Sequence, residues 1–211
     1  MCEHDRGFSE QRLAGYREAC VEASAHGALL IPGIEYADPE DRVHVPVWGE
    51  VPFQGEGVPT TQLLESVRAL GGFSLLAHPV RRDAWRIVDP HWLDVCDGIE
   101  IWTRKWDGWA PNDLASQWAR KHELVSIVSL DLHHSRQTYP LAMELDVIGP
   151  LEPGAVLDAI LQRRCRPMIG RLPVAAVSAG MPGASLQVVE RWRRPLWRRL
   201  RAVRDRRRGV R

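Results

Sequence analysis

The chain has few of the residues that build disulfide frameworks or cysteine-based zinc sites. It contains four cysteines, and no two of them form a C-x-x-C pair. This spacing favours reduced thiols and argues against a disulfide scaffold or a zinc knuckle. No apolar run approaches the roughly 18 residues that a membrane span needs, and the first residues, MCEHDRGFSEQ, lack the charged-then-apolar layout of a signal peptide. We therefore expect a cytoplasmic protein.

Lysine is also scarce, since only two of the 28 basic residues are lysines. The formal net charge of +1 conceals a basic C-terminus, because residues 191–211 carry eleven arginines against one acid and the other 190 residues sum to −9. We expect a folded body over residues 1–184 and a basic tail or helix over 185–211. Two interpretations of the tail stay open: an amphipathic segment in weak contact with nucleic acid or an anionic membrane, or a solvated, partly disordered terminus that aids solubility or docks on the acidic body.

Predicted helices alternate with short apolar runs along the chain. Helices are predicted at 9–26, 60–70, 111–123 and 153–164. The runs LLIPGIE, FSLLAHP and VSIVSLD have the length and composition of strands buried on both faces. This order predicts an α/β fold with a parallel sheet or barrel. The segment VHVPVWG is predicted as an edge strand or a loop because it contains Pro46, and residues 170–184 are predicted as a loop.

Polar residues lie where the predicted strands end. Glu35 ends LLIPGIE, His78 ends FSLLAHP, and Asp131 and His133 end VSIVSLDLH. The ends of barrel strands converge on one rim, where such folds place their chemistry. Imidazoles and carboxylates are also the side chains that bind divalent metals. Each could instead be a hydrogen-bonded structural residue, but several buried polar groups at strand ends need partners, and this favours a metal centre.

The order of the motifs IPGIE, AHP and DLH resembles the PHP (polymerase and histidinol phosphatase) domain family. The segment CEHDRG at residues 2–7 resembles the TDHD element of that family, and VHVPVWG resembles the segment that follows its second motif. The resemblance implies a distorted (β/α)7 TIM-like barrel that holds two or three metal ions and hydrolyses phosphoesters. It implies six metal ligands: His4, Glu35, His44, His78, Asp131 and His133.

The sequence departs from the family pattern at its start. Family members open with an H-x-H strand upstream of the TDHD element, whereas this chain begins directly before CEHDRG. We therefore expect a barrel that is truncated at its N-terminus by about one and a half βα units. The family layout distributes the remaining ligands over three sites: Glu35, His44 and His78 in the first, Glu35 and Asp131 in the second, and His4 and His133 in the third.

The resemblance favours a metal-dependent phosphoric ester hydrolase that acts on a nucleotide, an oligonucleotide or a small phosphorylated metabolite. Zinc, manganese or iron would activate the attacking water. Glu35 would bridge two ions, Asp131 would ligate or orient the water, and His133 would bind metal or protonate the leaving oxygen. The alternative is a catalytically impaired remnant of the same fold that binds metal or, through its basic tail, nucleic acid. A metal-dependent amidohydrolase on a related barrel is a third interpretation, which AHP and DLH disfavour.

Four basic residues are candidates for contact with a substrate phosphate. Arg81 and Arg82 directly follow AHP, and Arg104 and Lys105 follow the strand-like run GIEIW. Guanidinium and ammonium groups at these positions would lie beside the predicted metal centre and face an anionic substrate. The tryptophans around Arg104 either stack on a nucleobase or pack this loop onto the body of the fold.

Overall fold

A computed structural model of the chain describes residues 1–134 and 137–178, together with positions 185, 188, 189 and 192. The side chain of Arg82 lies outside the described part of the chain. Nearly all of the basic tail predicted over 185–211 also lies outside the described part of the chain, and so does the domain boundary predicted at residue 184. The interpretations of the tail therefore stay predictions.

Six strands form one sheet in the order β1 to β6. They are β1 (Cys2–His4), β2 (Gly33–Ala37), β3 (His44–Trp48), β4 (Phe73–Leu76), β5 (Gly98–Thr103) and β6 (Val125–Ser129). Strand β1 pairs with β2, β4 with β5, and β5 with β6 in parallel, whereas β3 runs antiparallel to β2 and β4. The α/β class and the parallel pairing are confirmed. The described strands leave the sheet open at β1 and β6, so they do not close into a barrel, and a truncated barrel stays a prediction.

Strand β3 corrects the expectation of an edge strand or loop around Pro46. It lies inside the sheet, where Pro46 pairs in register with Glu35 on β2. Proline lacks a backbone N–H and therefore interrupts a ladder. On the other side, β3 pairs with β4 through Val47 with Ser74 and Trp48 with Phe73. The next pairing is the isolated bridge of His44 with Ala77, so the ladder has a gap between them. Pro46 is tolerated in an internal strand because it lies in this gap.

Three helices in the described part of the chain begin after a residue whose side chain caps them, namely Ser9, Asp89 and Asn112. The described α-helices are α1 (Glu10–Ser24), α2 (Thr60–Ala69), α3 (Pro90–Val95), α4 (Arg104–Asp107), α5 (Asp113–Lys121), α6 (Pro153–Leu161) and α7 (Val174–Ser178). The predicted cap Ser9 accepts the N–H of Arg12 at 3.2 Å, and Asn112 accepts that of Ala115 at 3.0 Å. No helix in the described part of the chain is long and apolar enough to cross a bilayer.

A second, antiparallel sheet covers one face of β4 and β6. It consists of β7 (Leu141–Leu145), β8 (Cys165–Ile169) and β9 (Leu172–Pro173). Together with α6 it packs on a small apolar cluster formed by Phe73, Leu75, Val125 and Ile127. The loop predicted over 170–184 is wrong where it overlaps β9 and α7, because Val174 is buried against the core and orders this segment.

The main core lies on the other face of the sheet, under α1, α2, α3 and α5. Side chains alternate along each strand, so Phe73 and Leu75 of β4 face the second sheet while Leu76 faces the main core. Strands β4 and β5 are buried along their whole length. Since helices and the second sheet cover both faces, the polar groups at the strand ends lie at an edge of the sheet.

Gly33 provides a test of how closely β2 and β3 approach each other. A Cβ atom on Gly33 would lie 2.6 Å from Trp48 Cδ1 and 2.7 Å from the Val47 carbonyl oxygen. We expect Gly33→Ala to lower the free energy of unfolding by about 1–3 kcal/mol through overpacking. Gly15→Ala is the control, because Gly15 is helical with nothing within 4 Å of the added methyl, and it should gain roughly 0.5–1 kcal/mol. Urea unfolding with an unchanged slope measures both, and equal effects would contradict this packing.

Candidate metal centre

The carboxylate of Glu35 is surrounded by imidazoles from three neighbouring segments of the sheet edge. The parallel register of β1 and β2 pairs His4 with Glu35 directly. The Nδ1 atom of His44 lies 2.8 Å from Glu35 Oε1, and the Nε2 atom of His78 lies 3.6 Å from the same oxygen. The Nδ1 atom of His4 lies 3.5 Å from the other oxygen, Oε2. The two oxygens of one carboxylate therefore face different sets of imidazoles.

Glu35 is ionised at neutral pH although it lies largely out of contact with solvent. Burial alone would raise its pKa, but hydrogen bonds from His44 and His78, and their charge, hold the pKa well below its ordinary value. For His44, burial favours the neutral ring, and the hydrogen bond and charge of Glu35 outweigh this and raise its pKa. The edge of the sheet thus carries a fixed negative charge that draws positive charge toward it.

His78 is held in an uncommon backbone conformation directly after β4. Its φ is 27°, and the residue is 4% exposed. Positive φ is rare for a side chain of this size and marks positions that the surrounding structure enforces. Within the described part of the chain, its Nδ1 atom is buried without a hydrogen-bond partner. A buried polar atom without a partner is costly, and the nitrogen of this ring that faces Glu35 is the other one, Nε2.

Glu100, on β5, holds His78 in place, and the sequence analysis did not assign it to the site. Its Oε2 atom accepts the backbone N–H of His78 at 2.7 Å, and its Oε1 atom accepts the hydroxyl of Ser129 at the end of β6. Burial raises the pKa of Glu100 to about 7, although the charge of His78 and the Ser129 hydrogen bond oppose the shift. The sequence feature that could have identified Glu100 is its position as a single acid inside the apolar run GIEIW.

Asp41 is a second residue that the sequence analysis missed. It lies in the loop between β2 and β3 with φ 53°, and its Oδ1 atom lies 2.8 Å from His44 Nε2. Arg81 donates to the Asp41 carbonyl at 2.7 Å and to its carboxylate at 3.1 Å, and its Nη1 atom lies 2.9 Å from His44 Nε2. Burial would raise the pKa of Asp41, but the hydrogen bonds from His44 and Arg81 lower it. Arg81 is therefore engaged in positioning the Asp41–His44 pair.

Asp131 lies on the opposite side of the same cleft, after β6. Its Oδ2 atom accepts from Lys105 Nζ at 2.7 Å and from Trp106 Nε1 at 2.8 Å. Its Oδ1 atom lies 2.7 Å from His133 Nε2. The His133 ring stacks on that of His4 with centroids 6.3 Å apart. Asp131 and His133 thus approach the Glu35 cluster through His4.

These groups line a cleft of about 320 Å³. All six predicted metal ligands lie along it, as do Arg81 and Lys105. Arg104 is placed elsewhere, since its guanidinium stacks over the rings of Trp109 and Tyr139 at 4.7 and 5.7 Å. Of the nearby tryptophans, Trp102 is buried in the core and Trp106 lines the cleft. The assigned roles of these residues stay predictions.

The residues around Glu35 fit a divalent metal ion. Two atoms bound tetrahedrally to one zinc at about 2.1 Å lie roughly 3.4 Å apart. The separations of 2.8, 3.5 and 3.6 Å between Glu35 and its three imidazoles bracket this value, and ligand atoms of His4, Glu35 and His44 all lie within 4.8 Å of one another. Asp41 also faces the far nitrogen of His44, the arrangement that usually orients a metal-binding histidine.

Comparison with known proteins supports the fold. No family model and no curated protein matches the chain. A two-domain protein from Bacteroides vulgatus, described as containing a predicted PHP-like metal-dependent phosphoesterase, is similar in structure: TM-score 0.52, 21% identity, 74% of this chain and 49% of that chain covered. The chain thus has the fold of a PHP-like protein, which confirms the resemblance indicated by its motifs, and it spans about half the length of that structure.

Two further structures are more distantly similar. PsfC from Pseudomonas syringae gives a TM-score of 0.49 at 16% identity, with 81% of this chain and 68% of that chain covered. A candidate metal-dependent phosphoesterase from Bifidobacterium adolescentis gives 0.43 at 17% identity, with 63% of this chain and 76% of that chain covered. Neither likeness is strong enough to carry an argument about this chain.

The buried carboxyl of Glu100 predicts a pH-dependent stability. Its pKa rises from 4.5 to about 7 on folding, so the folded state retains a proton that the unfolded state loses between these values. Stability is therefore fully present below pH 4.5 and falls as pH rises to 7, by up to roughly 3 kcal/mol. In metal-chelating buffer, the difference in free energy of unfolding between wild type and Glu100→Gln should fall by this amount across the window. A difference that is constant with pH would contradict the assignment.

Proposed function

We propose that the chain is a metal-dependent phosphoric ester hydrolase whose centre is built on Glu35. The observation that carries the proposal is the placement of ligand atoms of His4, Glu35 and His44 within 4.8 Å of one another, with His78 Nε2 3.6 Å from Glu35 Oε1. The Asp41–His44 pair supports it independently. The PHP-like fold agrees with it.

Glu35, His44 and His78 would hold the principal ion, with His4 on the second oxygen of Glu35. The mixture of nitrogen and oxygen ligands admits zinc, manganese or iron. Such an ion supplies Lewis acidity, which polarises a phosphoryl oxygen and lowers the pKa of water at neutral pH. The protein's contribution is to keep Glu35 ionised and the imidazoles oriented, which Asp41 and Glu100 do through His44 and His78.

The charge of the cleft indicates an anionic substrate that binds after the metal. Among its described lining residues, four are acidic and three are cationic, a formal balance of −1 with the histidines neutral: Asp5, Glu35, Asp41 and Asp131 against Arg6, Arg81 and Lys105. One divalent ion changes this balance to +1. The metal-free cleft therefore disfavours a phosphate, and the loaded cleft attracts it.

The size of the cleft favours a small phosphate ester. Its volume of about 320 Å³ lies at the lower end of the range for small-molecule sites. A phosphorylated metabolite, a mononucleotide or the terminal nucleotide of a short oligonucleotide fits this volume. Lys105 and Arg81 face the cleft, and Lys105 has further N–H donors besides the one that Asp131 accepts.

His133 is suited to the proton transfer that the leaving oxygen requires. Its side chain is 46% exposed at the mouth of the cleft, and Asp131 accepts its Nε2 proton at 2.7 Å. A carboxylate partner fixes the tautomer of an imidazole and stabilises its charged form, so the ring can donate a proton and recover it from water. Asp131 acts here as the positioning residue for His133.

Removal of the central ligands tests the function. We expect Glu35→Gln and His78→Ala to lower kcat/KM for a generic phosphomonoester or phosphodiester by at least about 100-fold, with loss of bound metal, because the ion loses its carboxylate or an imidazole. His91→Ala is the matched control, since His91 pairs with Glu65 on the surface, and its activity should equal that of wild type. Metal-dependent hydrolysis that survives both substitutions would refute the assignment.

The Asp41–His44 pair makes a separate prediction about affinity. Asp41→Asn keeps the shape of the side chain but removes the charge that orients His44, so we expect affinity for Zn²⁺ or Mn²⁺ to fall by about 10–100-fold. The control is Asp94→Asn, because Asp94 makes a similar contact of 2.7 Å with His122 away from the cleft, and its affinity should not change. Competition with a fluorescent chelator measures both values, and an equal effect of the two substitutions would contradict the orienting role.

A further inference from the structure

The two carboxylates of the cleft have different partners. Within the described part of the chain, Glu35 faces three imidazoles and no lysine or arginine. Asp131 instead accepts from an ammonium, an indole and an imidazole, at 2.7, 2.8 and 2.7 Å, and both of its oxygens are engaged. In the described part of the chain Glu35 therefore has only imidazoles beside it, whereas Asp131 is paired with the permanently charged ammonium of Lys105.

Lys105 is held firmly beside Asp131. Its Nζ atom lies over the ring of Trp106 at 5.1 Å, and its side chain is 29% exposed. The short helix α4 that carries it is fixed by Asp107, which is 1% exposed and accepts the N–H of Thr103 at 2.8 Å and that of the Asn112 amide at 3.1 Å. The helix that carries Lys105 is thus fixed by a buried carboxylate, while the ammonium itself is partly exposed and pairs with Asp131.

We propose that the ammonium of Lys105 takes the place of a second metal ion beside Asp131, so that the centre binds one divalent ion per chain. The inference rests on the proposed function and narrows it. A lysine supplies a single positive charge at a fixed point with no need for metal loading. Its remaining N–H donors face the cleft, where they can bind a phosphate oxygen that a second ion would otherwise coordinate.

The stoichiometry of bound Mn²⁺ tests this inference. The probes are equilibrium dialysis followed by elemental analysis, and titration followed by electron paramagnetic resonance. Wild type and Lys105→Arg, which keeps the charge, should bind one ion per chain. Lys105→Gln should bind two, and the second should be lost again when Asp131→Asn is added. Lys121→Gln is the matched control, because Lys121 is the only other lysine of the chain, and it should bind one.

Each other outcome has a distinct meaning. Two ions in wild type, or one ion in both wild type and Lys105→Gln, would overturn the inference while leaving the proposed function intact. No ion in any variant would refute both. One ion in Lys105→Gln and none in wild type would support the role of Lys105 and refute the metal site at Glu35.

A measurement on wild type keeps the inference testable if Lys105→Gln does not fold. Because the chain has two lysines, labelling with ¹³C-lysine gives two side-chain signals, which Lys121→Gln assigns. The Lys105 signal should keep a shift distinct from that of free lysine when Zn²⁺ saturates the protein, because the ammonium stays on Asp131. Movement of this signal to the position of free lysine on addition of Zn²⁺ would show displacement by metal and overturn the inference.

Discussion

A single ionised carboxylate, that of Glu35, organises this structure. Its position in β2 places it beside β1 and β3, and its two oxygens are contacted by His4 on one side and by His44 and His78 on the other. A largely buried charge of this kind must be compensated. Imidazoles compensate it only in part, and a divalent ion among them would complete the balance.

A set of supporting contacts keeps this carboxylate and its imidazoles in register. Glu100 joins the segment after β4 to the end of β6, since it accepts from His78 and Ser129. Asp41, in the loop between β2 and β3, and Arg81, in the segment after β4, both contact Nε2 of His44 and hold its ring in place. Positive φ angles at Asp41, His78 and Asp131 lie along this cleft. Three of the six non-glycine residues with positive φ in the described part of the chain thus lie where these side chains converge, as is expected of a preorganised site.

The sequence predicted the strand ends well and the contacts between distant segments poorly. Glu35 and His78 were identifiable because a polar residue that ends a buried apolar run needs a partner. Asp41 was not, because it lies in a loop without periodicity, and its link to His44 depends on the turn between β2 and β3. Lys105 was assigned to phosphate, but its ion pair with Asp131 spans 26 residues and exists only because β5 pairs with β6. Pro46 misled the prediction for β3, since the gap in its ladder is a tertiary feature.

X-ray absorption spectroscopy on the zinc-loaded protein tests the central claim most directly, because it reports the atoms that surround the ion. Coordination by Glu35 and the imidazoles around it predicts a first shell of nitrogen and oxygen at about 2.0–2.1 Å. It also predicts the outer-shell scattering of at least two imidazole rings, and a loss of this scattering in His78→Ala. A spectrum without imidazole scattering, or one that His78→Ala does not alter, would contradict the account.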